Sequence, residues 1–166
     1  MNIPIKREAR TRNFQKAELL ARRAEKKVNK LTLFFSYITG HKRQVTAAVI
    51  EKDGKILIAQ RRKGSTLGGR WEFPGGKIEP GETAEACLKR ELKEEFDIES
   101  EIGKFIIANQ FRYCLVPIEL LAYRVKHISG EFKVNEHEEI RWVLPSELSS
   151  YDFMPADVPI VKLLAK

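Results

Sequence analysis

Residues 71–98 read WEFPGGKIEPGETAEACLKRELKEEFDI, a glycine pair followed by a glutamate-rich stretch. The spacing of apolar residues predicts a helix over 83–96. At about 100° per residue, Glu91 and Glu95 fall within the apolar stripe of this helix, and Glu94 falls at its edge. A solvated face is the usual environment of helical glutamates, and it does not account for Glu91 and Glu95.

Carboxylates crowded on one flank of a helix repel one another and lose hydration unless a cation neutralises them. Oxygen ligands of high charge favour Mg²⁺ or Mn²⁺ over Zn²⁺. Arg90 precedes Glu94 by one helical turn and can orient its carboxylate. Gly75 and Gly76 allow the backbone to approach a metal or a phosphate closely. The stretch therefore predicts metal-assisted hydrolysis of a phosphoanhydride, with a carboxylate activating the attacking water.

The chain from residue 44 onward mixes strands and helices. Residue patterns predict strands at 45–51, 55–60, 100–112, 115–126 and 140–143, and a closing helix at 157–165. Because these elements do not alternate as βαβ units, the pattern is typical of an α+β domain with a mixed sheet.

Net charge is unevenly distributed along the 166 residues. The chain carries +7, but residues 1–43 hold 12 basic and three acidic side chains (+9), which leaves −2 for residues 44–166. No apolar run approaches the ~20 residues of a membrane span. Two cysteines without metal-ligand spacing are typical of a reducing, cytoplasmic setting. We expect a basic N-terminal extension (1–43) and one domain (44–166).

The extension predicts a helix after Asn13 with a basic face opposite its apolar positions. Three interpretations stay open. One is a helix that packs on the domain or on a second copy of the chain in a homodimer. Another is an arm that binds nucleic acid or another anionic surface. The third, a targeting segment, is disfavoured by the acidic residues and by the lack of a continuous apolar core.

The stretch from Gly76 to Ile98 resembles the Nudix box, G-x5-E-x7-R-E-U-x-E-E-x-G-U, where U is a bulky apolar residue. The matching positions are Gly76, Glu82, Arg90, Glu91, Leu92, Glu94, Glu95 and Ile98. Asp97 stands where the family has glycine, and aspartate tolerates the left-handed conformation expected there better than most residues. The resemblance covers about residues 44–166. It implies the Nudix fold, a mixed β-sheet sandwiched between helices (α/β/α).

The resemblance also implies a metal site. Glu94 and Glu95 are expected to be the main ligands of Mg²⁺, or of Mn²⁺ in its place. Glu91 is expected to be a further ligand or the general base, and the Gly75 carbonyl is expected to reach the metal. In many members a glutamate from a later loop joins the site, and Glu139 in the segment 136–139 is the candidate here.

Two other box residues are expected to support this site. Arg90 would fix the glutamates through ion pairs, and Glu82 would support the loop or a second metal.

The sequences around Phe73 and Asp157 resemble the MutT-type nucleoside triphosphate diphosphatases, which release a monophosphate and pyrophosphate and clean nucleotide pools. This likeness implies that Phe73 flanks the base and that Asp157 reads its edge, with oxidised dGTP and dCTP-like substrates both open. The other expected substrate contacts are Arg61, Arg62, Gly76 and Lys77.

Two rival functions stay open. One is a Nudix hydrolase of another nucleoside diphosphate derivative, such as a nucleotide sugar or a dinucleoside polyphosphate. The other is a non-catalytic module that binds nucleic acid, which the complete set of box carboxylates disfavours.

Overall fold

The computed structural model describes residues 42–113 and 116–165. The helix expected in the N-terminal extension lies outside these residues. The strands are β1 (Arg43–Lys52), β2 (Lys55–Arg61), β3 (Trp71–Glu72), β4 (Glu99–Tyr113), β5 (Val116–Ser129) and β6 (His137–Val143). The helices are α1 (Ala84–Phe96) and α2 (Val158–Leu164), and a 3₁₀ turn spans Pro145–Ser150.

The strands form a mixed six-stranded sheet in the order β3-β2-β1-β5-β4, and β6 pairs with β2 outside this sequence of neighbours. Strand β1 runs parallel to β5, whereas the β4–β5, β2–β3 and β2–β6 pairs are antiparallel. The β1–β2 hairpin closes at Asp53-Gly54, where both residues have positive φ. The α+β class with a mixed sheet is confirmed.

Side chains of β1 and β2 alternate between two apolar cores, as the pleat of a strand requires. The core on one face packs against α1 and includes Ala48, Ile50, Leu57, Leu88, Leu92, Phe96 and Val125. The core on the other face packs against the 3₁₀ turn and α2 and includes Ala47, Val49, Ile56, Ile58, Leu148, Ile160 and Leu164. The sheet therefore lies between helical elements, and the expected α/β/α architecture is confirmed.

Helix α1 has defined ends. Its N-cap Thr83 accepts a hydrogen bond from the Ala86 N–H at 3.2 Å, which satisfies one of the donors left free at a helix start. Its C-cap Asp97 adopts the left-handed conformation at φ 57°, and the Asp97 N–H donates to the Lys93 carbonyl at 3.0 Å. Asp97 thus terminates the helix in the conformation for which the family uses glycine.

The segment between β3 and α1 runs along β1. The amides of Ala48 and Thr46 donate to the carbonyls of Pro74 and Gly76 at 2.7 and 2.8 Å. These bonds place the glycine pair beside β1, a central strand of the sheet, where Gly76 lies against Glu91 of α1. Neither of the two described helices, at 13 and 7 residues, is long and apolar enough to span a membrane.

Candidate active site

Arg90 is the centre of an ion-pair network on α1. Its guanidinium donates to Glu82 at 2.9 and 3.0 Å, to Glu91 at 2.9 Å and to Glu94 at 3.4 Å. It also donates to the Lys77 carbonyl at 3.1 Å, which fixes the glycine-pair loop to the helix. The hydrogen bonds from Arg90 lower the pKa of Glu82 to about 2. The Arg90 guanidinium therefore pairs with three of the box carboxylates.

Both glycines are required by the space around them, and Gly75 also by its backbone conformation. A Cβ on Gly76 would lie 2.0 Å from the Glu91 carboxylate, so this carboxylate packs directly on the Gly76 backbone. At Gly75 the φ of +145° is rarely adopted by other residues, and a Cβ would lie 2.3 Å from the Thr46 carbonyl oxygen. Gly76 therefore makes room for a functional side chain, whereas Gly75 makes room for β1.

Glu95 is the most deeply buried of the box carboxylates, with its side chain 8% exposed. Its Oε2 atom is buried and has no hydrogen-bond partner in the described part of the chain. Burial, followed by the charges of Glu72, Glu91 and Glu136, raises the pKa of Glu95 well above its ordinary value. Burial also raises the pKa of Glu91, and Arg90 opposes this shift.

Glu95 opens onto a cavity of about 220 Å³ that contains both acidic and basic groups. The cavity is lined by Arg61, Arg62, Ser65, Glu72, Glu95, Glu136 and His137. Carboxylates whose charged form a positive ion would stabilise therefore share one cavity with basic groups able to contact an anion.

The donor set fits a divalent metal ion. A buried carboxylate oxygen without a partner, surrounded by other carboxylates, is stabilised by a hard cation. As the described side chains stand, no three His, Cys, Asp or Glu residues lie close enough together to hold a metal ion. Arg90 pairs with Glu91 and Glu94, whereas Oε2 of Glu95 has no hydrogen-bond partner within the part of the chain that the structure describes.

The structure places Glu139, the glutamate expected from the later loop, outside the cavity lining. Glu139 lies within β6 opposite Gln60, and its 41% exposed carboxylate pairs with Arg141 at 2.7 Å. Glu136, just before β6 begins, lines the cavity instead and contributes to the raised pKa of Glu95. Glu136 belongs to the expected segment 136–139, and the choice of Glu139 within it rested on a strand expected to begin at residue 140 rather than at His137.

His137 is a site residue that sequence reasoning missed. Its Nε2 atom lies 3.1 Å from Glu72 Oε1 and 3.9 Å from Glu95 Oε1. Its ring stacks on Phe96 with centroids 5.4 Å apart. No motif in the sequence marks this histidine, because its partners come from β3 and α1.

Arg61 and Arg62 line the cavity, as expected of residues that contact phosphate, but both already have protein partners. Arg61 Nη1 donates to both carboxylate oxygens of Glu72, to Oε2 at 2.8 Å and to Oε1 at 3.0 Å. Arg62 donates to the Asn135 carbonyl. Lys77 is exposed, and its carbonyl rather than its side chain contacts Arg90.

Phe73 and Asp157 are brought together on the other face of β3. The Phe73 N–H donates to Asp157 Oδ1 at 3.1 Å, and the Phe73 ring packs on Phe153 at 5.3 Å. Burial raises the pKa of Asp157 to about 8, with the Phe73 amide opposing the shift. The raised pKa favours the neutral carboxylic acid form of Asp157 near pH 7.

The α/β/α sandwich, with an arginine-held carboxylate cluster on its helix α1, is typical of the Nudix class of hydrolases. Residues 40–164 match the model of the NUDIX domain, and the chain belongs to the Nudix hydrolase family.

Two of the similar proteins carry different substrate names. A CTP pyrophosphohydrolase of Escherichia coli K12 is 41% identical over 119 residues, covering 72% of this chain and 88% of that protein. An 8-oxo-dGTP diphosphatase of Haemophilus influenzae is 36% identical over 122 residues, covering 73% and 90%. The solution structure of the E. coli ORF135 protein matches with a TM-score of 0.68 and 40% identity, covering 75% of this chain and 89% of that one.

Proposed function

We propose that this protein is a Mg²⁺-dependent diphosphatase of (deoxy)nucleoside triphosphates, including oxidised or modified ones such as 8-oxo-dGTP and dCTP-like nucleotides. Water would cleave the anhydride between the α and β phosphates and yield the monophosphate, pyrophosphate and a proton. In a cytoplasmic setting this reaction removes damaged or surplus nucleotides from the pool. The observation that carries the proposal is the buried Oε2 of Glu95, which has no hydrogen-bond partner among residues 42–113 and 116–165 and lies at a cavity lined by Arg61 and Arg62.

The metal would be held by Glu91, Glu94, Glu95, Glu136 and the Gly75 carbonyl. When bound, a divalent ion neutralises phosphate oxygens and lowers the pKa of bound water. Mn²⁺ has the same ligand preferences and is expected to substitute.

The proton of the attacking water would pass to a box glutamate. Glu91 is suited to this role because burial raises the pKa of its carboxylate, which makes it a stronger base than an exposed glutamate. Arg90 would keep the carboxylate in place through the 2.9 Å bond. The Gly76 backbone, on which Glu91 packs, limits its movement on the opposite side.

The base would be read at Phe73 and Asp157. A neutral carboxylic acid can donate one hydrogen bond and accept another, so Asp157 can pair with adjacent donor and acceptor atoms on a base edge. The two relatives named above act on a cytosine nucleotide and an oxidised guanine nucleotide, and both bases offer such an edge.

The test is a panel of nucleotides incubated with the purified chain and Mg²⁺, with release of monophosphate, pyrophosphate and orthophosphate followed separately. The panel includes CTP, dCTP, 8-oxo-dGTP, a nucleotide sugar and a dinucleoside polyphosphate. Turnover of none of the five would refute the enzymatic proposal. Orthophosphate as the first product would refute the cleavage position, and preference for one of the last two substrates would favour the rival Nudix class.

A substitution tests the metal assignment. Glu94→Gln is expected to lower turnover at least ~100-fold while the fold stays intact, because the half-exposed side chain has few packing contacts to lose. The matched control is Glu51→Gln. Glu51 is an exposed residue of β1 that pairs with Arg124, and its substitution is expected to keep full turnover. Full activity of Glu94→Gln would contradict its role as a ligand.

We also propose that the basic extension binds nucleic acid, since its +9 charge is concentrated in 43 residues. The full chain and residues 44–166 would be compared for DNA binding at low and moderate salt. We expect only the full chain to bind DNA, with an affinity that falls as the salt concentration rises. Equal DNA binding by both proteins would refute the proposal. Size measurements on the same two proteins test the homodimer alternative.

A further inference from the structure

The segment 130–136, here called the capping segment, lies against the C-terminal end of α1. The amide of Lys133 donates to the Phe96 carbonyl and the amide of Asn135 donates to the Glu95 carbonyl, both at 3.0 Å. The Asn135 side chain adds a third bond, from Nδ2 to the Glu94 carbonyl at 2.9 Å. The last carbonyls of a helix have no partner within the helix, so the segment acts as their cap.

Asn135 is distinctive because both carbonyls that it binds belong to box glutamates. Its own carbonyl accepts a hydrogen bond from Arg62, which lines the cavity. The next residue, Glu136, lines the same cavity beside Glu95. Asn135 therefore connects the backbone of α1 to the chain position that carries the additional carboxylate.

The unusual Asp97 strengthens the same connection. Its carboxylate pairs with Lys133 of the capping segment at 2.7 Å and with Lys93 of α1 at 2.8 Å. A Cβ on Gly130 would lie 2.7 Å from the Asp97 carbonyl oxygen, so the segment passes very close to the helix end. The residue that replaces the family glycine thus supplies a side chain that fixes the segment.

We propose that Asn135 is a positioning residue that sets the place of Glu136 relative to Glu95, and that it thereby tunes the affinity of this cavity for a divalent cation. The inference rests on the proposed function only in assigning the cation to this cavity. Asn135 itself touches neither the cation nor the substrate in this scheme, because its polar groups bind the helix carbonyls and Arg62.

The test measures Mn²⁺ binding to the full chain by electron paramagnetic resonance, without nucleotide. Four proteins are compared: the wild type, Asn135→Ala, Glu136→Gln and the double variant. Asn135→Ala is expected to weaken Mn²⁺ binding about three- to tenfold, the effect of losing one ordinary hydrogen bond. Glu136→Gln is expected to weaken it at least as much, and the double variant to match Glu136→Gln alone.

If Asn135 acts by positioning Glu136, the effects of the two substitutions on Mn²⁺ affinity are not additive, whereas a general effect on the fold makes them additive. If Asn135→Ala weakened binding by the same factor in the wild type and in the Glu136→Gln background, the side chain would act on the fold and the inference would be wrong. Unchanged affinity in Asn135→Ala, or no Mn²⁺ binding by the wild type, would also overturn it. A chain that binds Mn²⁺ with this pattern but hydrolyses no nucleotide would refute the proposed function and leave the inference standing.

Two further variants guard against trivial outcomes. Asn135→Ser keeps a short side-chain donor and is expected to recover part of the affinity, and it serves as the test if Asn135→Ala fails to fold. Gln44→Ala removes another side-chain amide, which donates to the Glu119 carboxylate at 2.9 Å in an exposed pair, and this variant is expected to bind Mn²⁺ as the wild type does. Equal loss of affinity in Gln44→Ala would also contradict the inference.

Discussion

Asp157→Asn is expected to stabilise the protein increasingly as the pH rises. The folded state keeps the Asp157 proton up to a pKa of about 8, whereas an unfolded chain releases it near the ordinary value of 3.8. Between these values the folded state binds more protons, so the free energy of unfolding falls as the pH rises. Each pKa unit corresponds to about 1.4 kcal/mol, so the full window is worth about 6 kcal/mol. Asparagine does not titrate, and its oxygen can still accept the 3.1 Å hydrogen bond from Phe73.

The assay is urea unfolding of the wild type and of Asp157→Asn at pH 5, 6.5 and 8. The difference in unfolding free energy in favour of the variant is expected to grow by about 4 kcal/mol between pH 5 and pH 8. Other carboxylates titrate equally in both proteins and cancel in the difference. A difference that stays constant within about 1 kcal/mol over this range would refute a neutral, buried Asp157.

Four further substitutions test local features. Gly76→Ala is expected to lower turnover at least ~10-fold and to change stability by about 1 kcal/mol, because its Cβ displaces the Glu91 carboxylate. Gly75→Ala, whose Cβ meets the Thr46 backbone, is expected to cost about 2 kcal/mol or more in urea unfolding. A larger loss of unfolding free energy in Gly76→Ala than in Gly75→Ala would contradict both assignments. Asp97→Gly is expected to shift the melting temperature by less than about 3 °C, since relief of the left-handed strain opposes loss of the Lys93 and Lys133 pairs. Thr83→Ala is expected to cost about 1 kcal/mol by removing the helix cap, and unchanged unfolding would show that this bond adds no stability.

The sequence predicted the box helix almost to its ends, because its signals are local. Thr83 and Asp97 terminate the helix through their own side chain and backbone conformation, and the apolar stripe reports which face is buried. The burial of Glu95, and the edge position that leaves Glu94 half exposed, follow from the same periodicity. The ion pair between Arg90 and Glu94 follows from the helical repeat.

Partners that come from other elements were beyond this reasoning. The polar start of β6 resembles a loop, and only its pairing with β2 shows that His137 and Glu139 are strand residues. This register turns Glu139 toward Arg141 and leaves Glu136 at the cavity. Asn135 and His137 carry no motif because their roles depend on tertiary contacts with α1.

The distribution of ion pairs explains where a cation is needed. Arg90 compensates Glu82, Glu91 and Glu94, and Arg61 compensates Glu72. Within the described residues, the only ion-pair partner of Glu95 is His137 at 3.9 Å, which is beyond hydrogen-bond range. The charge deficit of the site is therefore local to Glu95 and its neighbour Glu136, although the whole chain is basic.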